Sequence, residues 1–133
     1  MKEEDKEIDH ADLVELGFFE GVAARLPKDE EVLKALGDLY TRVGRYEDGL
    51  ATDLSLAKLC SGDSMVWYNL ACSQALLGMR ASAMKSLKRA IGLGYDDAEW
   101  MRSDDDLRSL RDERGFKALL KRLAGEDVKA VDE

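Results

Sequence analysis

This 133-residue chain has one proline, one histidine and two cysteines, and each scarcity removes a class of function. A single histidine, His10, makes no metal site by itself. Cys60 and Cys72 are too few for a disulfide framework, and neither has a histidine or a paired basic neighbour in sequence that would lower its pKa, so a redox or nucleophilic thiol is not expected. No apolar run reaches membrane-spanning length, and the start MKEEDKEIDH is acidic where a secretory signal is basic and then greasy. The expectation is a cytoplasmic chain without a membrane partner. No phosphate loop, dinucleotide fingerprint or Gly-x-Ser-x-Gly elbow is present, and no nucleophile, base and orienting residue are grouped. No catalytic residue, cofactor or metal is expected.

Basic residues are the minority, and the formal charge is -8. Residues 1–12 hold six acids and two bases, and residues 126–133 hold four acids and one base, so about -1 is left for everything between. The acidity therefore belongs to the ends, and tails 1–9 and 125–133 are expected to be disordered and solvated. The run from Ser64 to Tyr95 has no acid but carries Arg80, Lys85, Lys88 and Arg89, a local positive patch that reads first as a solvated helix face. No basic groove with interleaved aromatics appears, so nucleic acid is not an expected partner.

What is abundant is helical spacing. Val32, Leu33, Leu36, Leu39, Tyr40 and Val43 follow three-and-four steps after a capping Asp29, and Gly44 ends that run. Tyr46 opens a second helix carrying Leu50, Leu54, Leu56 and Leu59, which breaks at Ser61-Gly62-Asp63. Asp63 or Ser64 starts a third through Val66, Trp67, Leu70, Leu76 and Leu77, Gly78 stops it, and Met84, Leu87, Ala90 and Ile91 mark its partner. Leu13, Leu16, Phe18, Phe19, Val22, Ala23 and Leu26 predict a leading helix that ends at Pro27. A short stretch around Trp100, a segment from Asp104 to Leu110 and a last helix near 113–123, with Phe116, Leu119, Leu120 and Leu123 on one stripe, close the chain. Chain length suggests one compact core.

Leu36, Gly44, Leu50 and Leu59 recur 34 residues later as Leu70, Gly78, Met84 and Leu93. With Trp67, Ala71, Ala83, Leu87 and Ala90, these positions resemble the tetratricopeptide repeat. The first unit fits through Leu33, Leu36, Gly37, Tyr40, Gly44, Tyr46, Leu50 and Leu59, while Gly49, Asp53 and Leu56 depart from the family's alanine, aromatic and alanine. The segment after Gly94 is similar to a terminator found behind many bacterial tetratricopeptide arrays. The resemblance implies an all-α solenoid over 10–124: a half-repeat capping helix at 10–27, repeats at 29–62 and 63–95, and a shortened repeat with a cap at 96–124.

It also implies protein or peptide binding on a concave wall lined by the first helix of each pair. Carried over residue by residue, that wall presents Glu31, Lys34, Asp38 and Arg42, then Met65, Tyr68, Asn69 and Cys72, then Glu99 and Arg102. Met65 and Tyr68 are the expected apolar anchors, with Lys34, Asp38, Arg42, Asn69 and Arg102 as orienting polar groups. Any one of these also reads as the polar side of an amphipathic helix. A carboxylate clamp of the co-chaperone kind keeps Lys34 and Asn69 in place, but Asp38, Glu99 and Ser103 replace its asparagine, lysine and arginine. Asp104-Asp105-Asp106 lacks the central glycine and terminal glutamate of a calcium loop and reads as helix capping. A monomer is the expectation, with a self-assembling module or weak homodimer as the alternative.

Overall fold

A computed structural model describes residues 8–125. Seven α-helices and a 3-10 turn make up its regular structure, with no strand among the described residues: α1 (His10–Arg25), α2 (Glu30–Arg42), α3 (Tyr46–Leu59), α4 (Ser64–Leu76), α5 (Arg80–Gly92), α6 (Ala98–Ser103), the 3-10 turn (Asp105–Leu110) and α7 (Arg114–Leu123). The chain is all-α. Most of the two acidic tails lies outside the described residues.

Local chemistry explains the boundaries. The Asp29 carboxylate accepts from the Val32 N–H at 3.1 Å and starts α2, and Asp63 does the same for Met65 at 3.0 Å ahead of α4. Gly44 and Gly78 stop the first helix of each hairpin with φ of 83° and 78°. In both turns the N–H of the residue after the glycine reaches back into the last turn, Arg45 to the Tyr40 carbonyl and Met79 to the Gln74 carbonyl, each at 2.8 Å. These are Schellman caps, which need a residue that tolerates the left-handed region.

Two compact units divide at Ser61/Gly62, each with its own core. The single core expected from chain length thus resolves into two. In the first unit α2 packs against both α1 and α3. Leu16 of α1 meets Leu36, Leu39, Tyr40 and Val43, with Phe19 and Ala23 beside them. In the second unit α4 packs on α5 and on the 3-10 turn, while α7 closes against α5 and α6. Its core joins Tyr68, Ala71, Ala83, Leu87, Ala90, Tyr95, Met101, Leu107, Leu110, Phe116 and Leu119.

The leading helix that the spacing predicts is α1, over His10–Arg25. Its apolar residues do not form a single buried stripe, because Leu13, Val14, Phe18 and Leu26 are exposed while Leu16 is the helix's buried residue. A helix packs one face on its hairpin, and α1 is apolar on the opposite face as well.

Candidate functional site

The residues assigned to a binding wall divide by unit and then by burial. In the first unit Glu31, Asp38 and Arg42 are exposed and Lys34 is half-buried, all on α2. Arg42 reaches Asp38 one turn back at 3.1 Å and Asp12 of α1 at 3.1 Å. Two carboxylates thus hold its guanidinium, a contact that orients α1 on α2 and that, being exposed, adds about 0–1 kcal/mol per pair.

In the second unit Met65 and Asn69 stand in solvent on α4, and Arg102 stands on α6 beside Glu99 at 3.1 Å. Tyr68 and Cys72 do not. Tyr68 is 1% exposed and belongs to the core, so it is not the solvent-facing anchor that the repeat pattern implied, and the buried Cys72 is withdrawn from that wall with it. The physical reason lies 36 residues downstream. Asp104, which caps the 3-10 turn by accepting from the Asp106 N–H at 3.0 Å, uses its other oxygen to accept from the Tyr68 hydroxyl at 2.6 Å and from the Cys72 thiol at 3.7 Å. The Tyr68 ring stacks on Tyr95 with centroids 4.4 Å apart. Burial, then the neighbouring Cys72 and the bond to Asp104, push the Tyr68 phenol well above its usual range. Tyr95 is pushed up to about 12, chiefly by burial, and its hydroxyl donates to the Asp97 carbonyl at 3.0 Å.

The same cluster is the place where a cation could be considered. The ligand atoms of Cys72, Asp104 and Asp106 lie within 4.8 Å of one another. Both oxygens of Asp104 already accept protein hydrogen bonds, which is the arrangement of a cap and a buried tether rather than of a vacant ligand set.

Sequence reading missed the burial of Tyr68, yet the signal was present: α4, SMVWYNLACSQAL, carries no charged residue, and a helix without charge on any face is covered on more than one. It also missed the exposed side of α1. There Phe18 and Val14 stand 64% and 61% exposed over a groove of about 510 Å3 lined by Gly17, Phe18, Gly21, Val22, Arg25 and Leu26. Trp100 on α6 is 56% exposed. The basic residues Arg80, Lys85, Lys88 and Arg89 do face solvent along α5, where the Arg89 guanidinium lies over the Trp67 ring at 5.4 Å.

No protein-family model matches the chain. It is similar to a chloroplastic protein of Arabidopsis thaliana, with 31% identity over 87 residues that make up 63% of this chain. The chain spans about a quarter of that relative's length, 26%. No helix of the described residues is long and apolar enough to cross a membrane.

Proposed function

We propose that the chain is a non-catalytic protein-association module of the tetratricopeptide kind, a short helical solenoid that receives a peptide or protein segment on the solvent face of its first-helix positions. The observation that carries this reading is on α4. Eight of its residues are buried, and its exposed strip is Met65, 47% exposed, with Asn69 one turn on. A large apolar side chain and an amide beside it offer a partner both burial and two-way hydrogen bonding. Lys34, Asp38 and Arg42 on α2 and Arg102 on α6 supply charge for orientation within their own units. Trp100 adds a second apolar group on α6, of a residue type enriched where binding energy concentrates. The cytoplasmic placement belongs to this reading and is supported by composition alone.

Selection of a displayed random-peptide library on the immobilised chain tests it, with a Met65→Asp/Asn69→Arg variant as the control surface. Both positions are exposed, so the variant keeps the wild-type far-ultraviolet circular dichroism. Enrichment of a peptide family on wild type with at least tenfold loss on the variant is expected. Equal enrichment on both, or none on either, overturns the reading.

A further inference from the structure

The outward face of α1 lies apart from the α4 strip and has chemistry of its own. Val14, Phe18, Gly21 and Arg25 follow one another at steps of four, three and four, so they share one side of the helix, opposite Leu16, Phe19 and Ala23 on the core side. Phe18 projects from this side, and a groove of about 510 Å3 opens next to it.

Gly17 and Gly21 line that groove in the interior of a helix, where glycine costs stability relative to alanine. Nothing among the described residues requires them, since a Cβ added at either would meet no atom there within 4 Å. Two glycines kept at a cost, with open space above them, fit the close approach of something outside the chain.

Two features select the visitor. The same helix face carries a knob, Phe18, and a notch, Gly17 and Gly21, which is the self-complementarity that a two-fold interface demands. Its charges are also arranged head to tail. Asp9 and Glu15 lie in the N-terminal half and Arg25 and Lys28 at the C-terminal end, all exposed. An antiparallel neighbour of identical sequence that sets Phe18 against Gly21 brings Arg25 level with residues 14 and 15 of the other helix, twice by symmetry.

We propose that the exposed face of α1 is a homodimer interface, in which two copies of this chain pack α1 against α1 antiparallel, each Phe18 entering the glycine notch of the other. Leu13, Val14 and Leu26 extend the contact. Its area, on the order of 1,000 Å2 in total, places it among weak, concentration-dependent associations.

Sedimentation of the full chain from low micromolar to several hundred micromolar tests this. Wild type is expected to pass from monomer to dimer over that range. Phe18→Glu and Gly21→Leu each weaken dimerisation at least tenfold while the circular dichroism spectrum stays that of a folded helical protein. Arg25→Glu weakens it several-fold, and the double reversal Arg25→Glu/Glu15→Arg restores it, which a contact of other geometry would not do. A chain that stays monomeric throughout, or a dimer indifferent to Phe18→Glu, overturns the proposal, as does a monomer whose Phe18 face captures only a different protein. The Met65→Asp/Asn69→Arg variant dimerises like wild type, so failure here and failure of the peptide-binding reading are distinguishable.

Discussion

The two hairpins, α2 with α3 and α4 with α5, solve the same packing problem 34 residues apart with opposite materials. At the point of closest approach the first hairpin sets Gly37 against Asp53, and an ideal Cβ on Gly37 would lie 2.8 Å from the Asp53 carboxylate oxygen Oδ1. At the corresponding positions the second carries Ala71 and Leu87, both fully buried in one core. One hairpin removes a methyl group and admits a carboxylate that is only 5% exposed, whereas the other keeps the methyl group and admits an isobutyl. The polar accessories differ in the same way. Tyr40 of the first donates to Glu20 of α1 at 2.7 Å, while Gln74 of the second accepts from Ser86 of its own hairpin at 2.7 Å. Helix-hairpin geometry is thus indifferent to the polarity of its central contact, provided that volumes match and buried polar atoms find partners.

Importing the first solution into the second should have the largest effect. Leu87→Asp places a carboxylate in a core of apolar and aromatic side chains, where the position matching Gly37 is Ala71. An uncompensated buried charge is expected to cost about 3–5 kcal/mol. Trp67 and Trp100 are the only tryptophans and both lie in the second unit, so urea unfolding followed by tryptophan fluorescence reads this change. A loss below about 1 kcal/mol would mean that the carboxylate of Asp53 does not depend on the missing methyl group opposite it.

Alkali should separate the units next. Tyr40 is pushed up to about 12, first by burial and then by its bond to Glu20, and Tyr95 likewise to about 12, with Tyr68 higher still. In the unfolded chain these phenols ionise near pH ~10. Their neutral forms therefore contribute stability that is whole below pH ~10 and is lost as pH rises through about 12, because the unfolded state gives up its protons first. The second unit holds two such tyrosines and the first unit one, so tryptophan-monitored stability should fall steeply in that window even in a Tyr40→Phe background. Stability that stays flat there would contradict the buried Tyr68–Tyr95 stack.

A smaller effect probes the notch directly. Gly37→Ala is expected to cost about 1–3 kcal/mol by overpacking, although alanine is the better helix former. In an Asp53→Ala background the same change should cost nothing, and the non-additivity measures the contact. Additive effects would remove the notch as the explanation. For comparison, Ala71→Leu overpacks the second hairpin by a similar amount.

How much of this was legible in the sequence depends on the range of the interaction. Asp29, Gly44, Asp63 and Gly78 act within a turn of themselves, and they set the helix boundaries that spacing predicted. Gly37 and Ala71, which match the repeat pattern, are both buried. Tyr68 defeated the reading because its cover, Asp104, arrives from a segment whose fold-back no helical periodicity encodes. For α1 the spacing predicts a helix but not which of its apolar residues are covered, and Phe18 stays exposed because one helix buries one side against one hairpin. Of the residues assigned to a wall, those that stayed in solvent are Glu31, Asp38, Arg42, Met65, Asn69, Glu99 and Arg102, with Lys34 half-buried.

The least disruptive change contrasts the two tyrosine tethers. Tyr40 donates to Glu20, and Arg45 completes that group by lying over the Tyr40 ring at 4.9 Å and reaching the Glu20 carboxylate at 3.5 Å. Removing the hydroxyl in Tyr40→Phe leaves Glu20 with its arginine and with access to water, so a loss of about 0.5–1.5 kcal/mol is expected. In the second unit Asp104 keeps its backbone donor from Asp106 and the long contact from the Cys72 thiol but loses the short bond from the Tyr68 hydroxyl, and the half-buried carboxylate cannot turn to solvent without abandoning the cap. Tyr68→Phe should therefore cost more than Tyr40→Phe, about 1–3 kcal/mol. Urea midpoints of the two variants measured side by side decide the order. The reverse ranking would mean that Asp104 is held by its cap alone and that the stacked rings, not the hydroxyl, fix Tyr68 in the core.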